Sequence, residues 1–166
     1  IKSSAASDVY KRQGQLVAAC CKAELESFCS RVKEFKGKAV PLAVSGGFHS
    51  PFMDSAEQKL AAAMSQYHLH APKIPIYANM TAEPYPQQDE ACTPILTGQV
   101  THPVQWEKTI RRMAEDGFDT FIEVGPGKTL SGLVKKIIKD AKIYRVEDKA
   151  TLESTLEALR TPSEEE

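Results

Sequence analysis

Apolar residues recur along this chain at two spacings, and the spacing changes from segment to segment. Leu25, Phe28, Val32 and Phe35 stand at i, i+3, i+7 and i+10, one stripe of a helix, which predicts a helix over 22–35. Gly37 follows where helices commonly end. Short apolar runs flank this helix at 15–19 and 39–44, and each reads as a strand. Pro41 cannot donate to a ladder, so the second run belongs at an edge or a bulge. Strand, helix, strand is a β-α-β unit, which implies two parallel strands, adjacent or separated by another.

The pattern then changes character. Residues 45–48 form a turn with two glycines, and Ser50-Pro51 is suited to cap and open a helix. Phe52, Met53, Ala56, Leu60, Ala63, Met64 and Tyr67 make its apolar face. A short strand is predicted over 74–78, and a Pro-rich polar loop over 80–89. Thr93-Pro94 opens a short helical turn reaching about Gln99, and His102-Pro103 opens a helix lined by Trp106, Ile110 and Met113 that Gly117 stops. A strand over 120–124 runs into Gly125-Pro126-Gly127. The helix after it carries Leu130, Leu133, Val134, Ile137 and Ile138 at i, i+3, i+4, i+7 and i+8. A last strand over 142–146 precedes a helix that Asp148 can cap, with Leu152, Leu156 and Leu159 along it. Strands alternate with helices, so the class is α/β. Residues 1–13 have no hydrophobic period and are expected to be unstructured and extraneous to the protein; 161–166 read as a disordered acidic tail.

Composition narrows the function. A hydrophobic content of 42% and a charged content of 26% are those of a globular protein. A net charge of −1 argues against nucleic acid and anionic membrane as partners. No apolar run approaches the roughly 20 residues of a membrane span, and the first residues lack a signal-peptide core, so a cytoplasmic location is expected. Cys20, Cys21, Cys29 and Cys92 fit no Cys-x-x-Cys spacing and read as reduced thiols.

The candidate chemistry centres on Gly46-Gly47-Phe48-His49-Ser50-Pro51-Phe52-Met53. A histidine between an apolar run and a helix is where α/β enzymes keep a general base, although such a histidine can also simply cap or pack at a turn. No Gly-x-Ser-x-Gly elbow occurs in the 166 residues, so the base has no evident nucleophile. Ser45 and Ser50 are too near in sequence to face His49 across a cleft. Gly125-Pro126-Gly127 follows a strand and opens a helix, but it lacks the spacing of a dinucleotide fingerprint; a tight turn with a proline-started helix is the simpler reading. His68 and His70 have no Cys or acidic residue at ligand spacing, so neither a metal nor a cofactor is expected. Arg111-Arg112 and Lys135-Lys136 read as solvated helix faces, with a docking role for an acidic partner as the alternative.

Four stretches in order carry a family resemblance. They are the His49 segment, Pro72-Lys73-Ile74-Pro75-Ile76-Tyr77-Ala78-Asn79, Gln99-Val100-Thr101-His102-Pro103-Val104-Gln105-Trp106, and Phe121-Ile122-Glu123-Val124-Gly125-Pro126-Gly127-Lys128-Thr129-Leu130. Together they resemble the C-terminal half of the malonyl-CoA:acyl carrier protein transacylases of fatty acid synthesis, a pattern shared by acyltransferase domains of polyketide synthases. The match runs from about 14 to about 138.

The resemblance implies an α/β-hydrolase-like large domain with an inserted ferredoxin-like small subdomain. Residues 14–44 would be the last β-α-β of the small subdomain and 45–160 the C-terminal part of the large one. His49 would be the general base, first for a serine that attacks malonyl-CoA and then for the phosphopantetheine thiol of acyl carrier protein, a ping-pong transfer through an acyl-serine. The backbone carbonyl of Gln99 would orient His49. Phe48 would favour malonyl over branched substrates, and Asn79 would line the cleft. The serine, the carboxylate-gripping arginine and the oxyanion-hole amides would lie in sequence absent here, which makes this chain an inactive, aggregation-prone fragment. The rival readings are a polyketide synthase acyltransferase fragment and, of another class, a non-catalytic carrier-protein-binding module.

Overall fold

A computed structural model describes residues 4–5, 17–44 and 46–160. The chain divides into two compact units, Ile1–Trp106 and Glu107–Glu166.

In the first unit, strand β1 (Ser4–Ala5) pairs antiparallel with β2 (Ala18–Ala19), Ser4 opposite Ala19. The sequence predicts no packed structure over 1–13, yet these two residues of that stretch pair; its other residues, like the tail 161–166, lie outside the described ones. A single 3-10 turn, Lys22–Glu24, leads into α1 (Leu25–Glu34). The left-handed residue that closes α1 is Lys36, at φ 58°. Gly37 N–H then donates to Val32 O and Lys36 N–H to Lys33 O, both at 2.9 Å, which is a Schellman close. Gly37 is required by contact instead, since a Cβ there would lie 2.7 Å from Val32 Cγ1.

Three expectations are corrected in this unit. The run 39–44 is extended without a ladder: Pro41 has no N–H, Val44 N–H turns back to Leu42 O at 2.9 Å, and Val40, Leu42 and Val44 are exposed. The β-α-β unit of 15–44 is therefore not formed as two paired strands. The strand expected over 74–78 is a single antiparallel bridge, Tyr77 opposite Pro84. Tyr85 N–H to Ile76 O (2.8 Å) and Ala78 N–H to Glu83 O (2.9 Å) hold it, and the tight turn puts Ala82 at φ 61°. The third helix begins at Asp89, well before Thr93-Pro94; Pro94 lies inside it, where its missing N–H forfeits one helical bond.

The second helix matches its pattern. A 3-10 turn, Pro51–Met53, passes into α2 (Asp54–Met64), which packs on α3 (Asp89–Gly98). Met53, Ala56, Leu60 and Met64 are its half-buried stripe, whereas Phe52 at the start of the expected face and Ala63 and Tyr67 at its end are exposed.

In the second unit, α4 (Trp106–Glu115) starts at the boundary and buries Thr109 and Ile110. Gly117, at φ 95°, closes it, with Phe118 N–H donating to Met113 O at 3.0 Å. Strands β3 (Thr120–Val124) and β4 (Lys142–Val146) pair in parallel, Thr120 opposite Lys142 through Val124 opposite Val146. Helix α5 (Thr129–Ile137) connects them, packs on both and buries Val134 and Ile137. Helix α6 (Lys149–Arg160) packs on β4, and its buried Thr155 hydroxyl donates to Arg145 O at 3.1 Å. Pro126 does not start α5; the helix opens three residues later, after Gly125 and Gly127 take φ of 135° and 91°.

Candidate active site

The turn before α2 is built to present one side chain. Ser50 has extended backbone angles and is almost fully buried. Its Oγ accepts from Phe52 N–H at 3.3 Å and donates to Gly47 O at 2.5 Å, so one hydroxyl caps the helix and ties down the turn. Gly47 is close-packed, for a Cβ there would lie 2.9 Å from Phe52 Cδ2 and 3.1 Å from Ser50 Oγ. With the residues on both sides fixed, His49 takes φ 56°. A left-handed backbone at a residue other than glycine costs about 1–3 kcal/mol and persists where neighbours over-determine it.

The imidazole meets the C-terminal end of α3. A helix leaves its last carbonyls without intrahelical partners, and here each of three finds its own. Thr97 O accepts from Val100 N–H at 3.2 Å. Gly98 O accepts from the N–H groups of Thr101 and His102, and His102 Nδ1 lies 2.7 Å from it. Gln99 O lies 2.9 Å from His49 Nδ1, across 50 residues of sequence. A carbonyl oxygen can only accept, so Nδ1 carries the proton and Nε2 keeps its lone pair in the neutral ring.

Gln99 does more than its carbonyl alone. Its Oε1 accepts Asn79 N–H at 3.0 Å, and its Nε2 donates to Tyr85 Oη at 2.9 Å. Asn79 O in turn accepts Gln105 N–H at 2.9 Å, and the Gln105 side chain donates to Met80 O. Burial first, and then the electrostatic influence of nearby Cys92, pushes the Tyr85 phenol above its usual range, so it remains a neutral hydroxyl. Thr101 Oγ donates to the Glu57 carboxylate of α2, a further link between α2 and the segment after α3.

Three of the four site residues expected from sequence are joined by hydrogen bonds, and Phe48 is not among them. His49 and Gln99 are in direct contact, and Asn79 joins them through the Gln99 side chain. Phe48 is exposed beside the turn, its ring 3.7 Å from where a Cβ on Gly46 would stand. Sequence reasoning missed the Gln99 side chain, Tyr85 and His102. A histidine just past a helix end was a usable signal for His102; nothing local marked Tyr85.

The turn at Gly125-Pro126-Gly127 is taken by the chain itself. The Glu123 carboxylate accepts from Leu130 N–H at 3.0 Å and Ser131 N–H at 2.8 Å, and Glu147 accepts from Gly127 N–H at 2.9 Å. Where a phosphate would sit, protein carboxylates already cap the helix.

The acyl transferase domain family matches residues 5–156. The chain belongs to that family. It is 34% identical over 148 residues to the malonyl CoA-acyl carrier protein transacylase of Bacillus subtilis, an alignment covering 89% of this chain and 46% of that protein. The crystal structure of the malonyl CoA-acyl carrier protein transacylase from Clostridium perfringens superposes with a TM-score of 0.84 at 38% identity, over 91% of this chain and 48% of that one. A malonyl-transacylase solved in complex with its type II PKS acyl-carrier protein gives 0.82 at 33% identity, over 87% and 47%. The chain thus spans about half the length of the curated relatives it matches. Among the described residues, no helix is long and apolar enough to cross a membrane.

Proposed function

We propose that this acyl transferase domain chain supplies the base half of a malonyl-CoA:acyl carrier protein S-malonyltransferase of cytoplasmic fatty acid synthesis. The observation that carries the reading is the 2.9 Å contact of His49 Nδ1 with Gln99 O. It leaves Nε2 as the basic atom and fixes the tautomer and orientation of the ring. Nε2 would remove the hydroxyl proton of a serine as that oxygen attacks the malonyl thioester, then return it to the departing CoA thiolate. In the second half, Nε2 would take the proton of the phosphopantetheine thiol as its sulfur attacks the acyl-serine carbonyl, then give that proton to the departing serine oxygen. The serine belongs to residues outside these 166, which hold no Gly-x-Ser-x-Gly.

In this reading 45–160 contribute to an α/β-hydrolase-like domain and 14–44 to a ferredoxin-like subdomain whose strands gain partners from sequence outside the chain. Phe48 stands before the base as a bulky wall, where one extra methyl on a substrate would cost about 1–3 kcal/mol. Asn79 lines the same cleft.

The test is transfer of malonyl from malonyl-CoA to holo acyl carrier protein. These 166 residues alone should show none. In the full-length enzyme, His49→Ala should lower kcat by about 10²–10⁴-fold with the thermal midpoint little changed. Turnover within tenfold of the parent would reject His49 as the base. The relative solved with a type II PKS carrier keeps a second reading open, transfer to a polyketide carrier; comparing kcat/KM for the two carriers separates them.

A further inference from the structure

A second cluster of chemically active side chains lies apart from the His49 contact. His68 and His70 stand on the exit from α2, and Asp89 is the first residue of α3. The fold brings His68 Nε2 and His70 Nδ1 each to 3.1 Å from the same oxygen, Asp89 Oδ2. The three donor atoms lie within 4.8 Å of one another. The rings meet edge to face, centroids 4.7 Å apart. The other carboxylate oxygen, Oδ1, accepts Ala71 N–H at 2.7 Å, which fixes the plane of the group.

This is the donor set and spacing of a transition-metal site. Tetrahedral zinc holds nitrogen and oxygen at about 2.0–2.1 Å, which places neighbouring donors about 3.3 Å apart, close to the two nitrogen-to-oxygen separations of 3.1 Å, while the two nitrogens lie within 4.8 Å of each other. Two imidazoles suit zinc and its neighbours, whereas calcium and magnesium require oxygen ligands. The backbone bond to Oδ1 is the outer-shell support that metal-bound carboxylates use. Both histidine side chains are largely exposed, at 68% and 79%, so an ion has an open path and a solvent-facing fourth position.

We propose that His68, His70 and Asp89 form a three-ligand site for a divalent ion of the zinc class, which clips the exit of α2 to the start of α3. Residues 71–88, with Asn79 and Tyr85, lie in the loop so closed, and α3 carries Gln99 at its far end. The ion would therefore brace the scaffold behind His49 without touching the reacting atoms. It stabilises the folded form by mass action.

The test is made on the full-length enzyme in a non-coordinating buffer, and it does not depend on transfer activity. Zinc should bind at one equivalent and raise the thermal midpoint, and magnesium and calcium should not. Cobalt(II) should give the intense visible absorption of a four-coordinate site. His70→Gln and Asp89→Asn should each weaken zinc binding by about 10–100-fold. In the unaltered protein, zinc should shift the ring resonances of His68 and His70 and leave those of His49 and His102 in place. No rise of the thermal midpoint at millimolar zinc would overturn the proposal, as would shifts confined to His49 or His102.

Discussion

Around His49 the side-chain links join residues far apart in sequence; in the unit after Trp106 the helices are capped by near neighbours, and the long-range links are the regular β3–β4 ladder and the Glu147 contact with Gly127 N–H. His49 and Gln99 are 50 residues apart, and Gln99 reaches 20 residues to Asn79 and 14 to Tyr85. In the second unit, Glu123 caps a helix seven and eight residues on, and Asp148 caps one three residues on. The difference follows from what each region must do. A β-α-β unit needs only regular spacing and caps, so local rules suffice. A base must be presented in one orientation, and its fixing atoms come from wherever the fold delivers them. The first region consequently stores strain at His49 and spends side chains on hydrogen bonds, while the second keeps φ > 0 to glycines.

Gly47→Ala is the hardest blow to the first region. The new methyl would enter 2.9 Å from the Phe52 ring and 3.1 Å from Phe52 Cβ and the Ser50 hydroxyl, so the turn must move. A displacement near 1 Å of a catalytic group can cost about 10²-fold. We expect kcat of the full-length transferase to fall by about that factor with α2 retained in circular dichroism. Undiminished kcat would show that the turn tolerates slack and that the contrast with the second unit is overstated.

Gln99→Ala sharpens the comparison with a smaller effect. The carbonyl that holds His49 stays, while the links to Asn79 and Tyr85 go. Two such bonds contribute about 1–3 kcal/mol together, and kcat should drop by about tenfold as the carbonyl loses its brace. Gln99→Glu should recover most of the activity, because a carboxylate still accepts from Asn79 N–H and the Tyr85 hydroxyl can turn to donate. Equal loss in both variants would mean that the side chain fills space and does not position.

How much was legible follows the same line. Strand limits 120–124 and 142–146, the α5 stripe and the Asp148 cap were readable because period and cap are local. Ser50-Pro51 was readable for the same reason. The runs 39–44 and 74–78 misled: they have strand composition, but a strand also needs a ladder partner, and the described residues offer the first none and the second one bridge. The early start of α3 was hidden because Pro94 reads as an opening residue. Of the candidate site, the His49–Gln99 pairing came from family resemblance. Asp89 reaching His68 and His70 could not be read at all, because 19 and 21 residues separate donors that only tertiary packing joins.

The smallest effect tests the local half of the comparison. The Ser131 hydroxyl lies beside Glu123, not aligned as a full hydrogen bond, and with the Ser131 and Leu130 N–H groups it holds the carboxyl below its usual range. The Thr151 N–H and hydroxyl do the same for Asp148. Both folded-state values are lowered, so both contributions are complete above the ordinary values of 4.5 and 3.8 and fade as pH falls through the lowered ones. Glu123→Gln keeps an acceptor but removes the charge at the start of α5. It should lower the thermal midpoint slightly at pH 7 and leave kcat unchanged. The deficit should close as the pH drops below the lowered value, where the parent has also lost its carboxylate. A deficit that persists in acid would assign the effect to shape, and the second unit would then owe its order to packing of α5 on β3 and β4 more than to its caps.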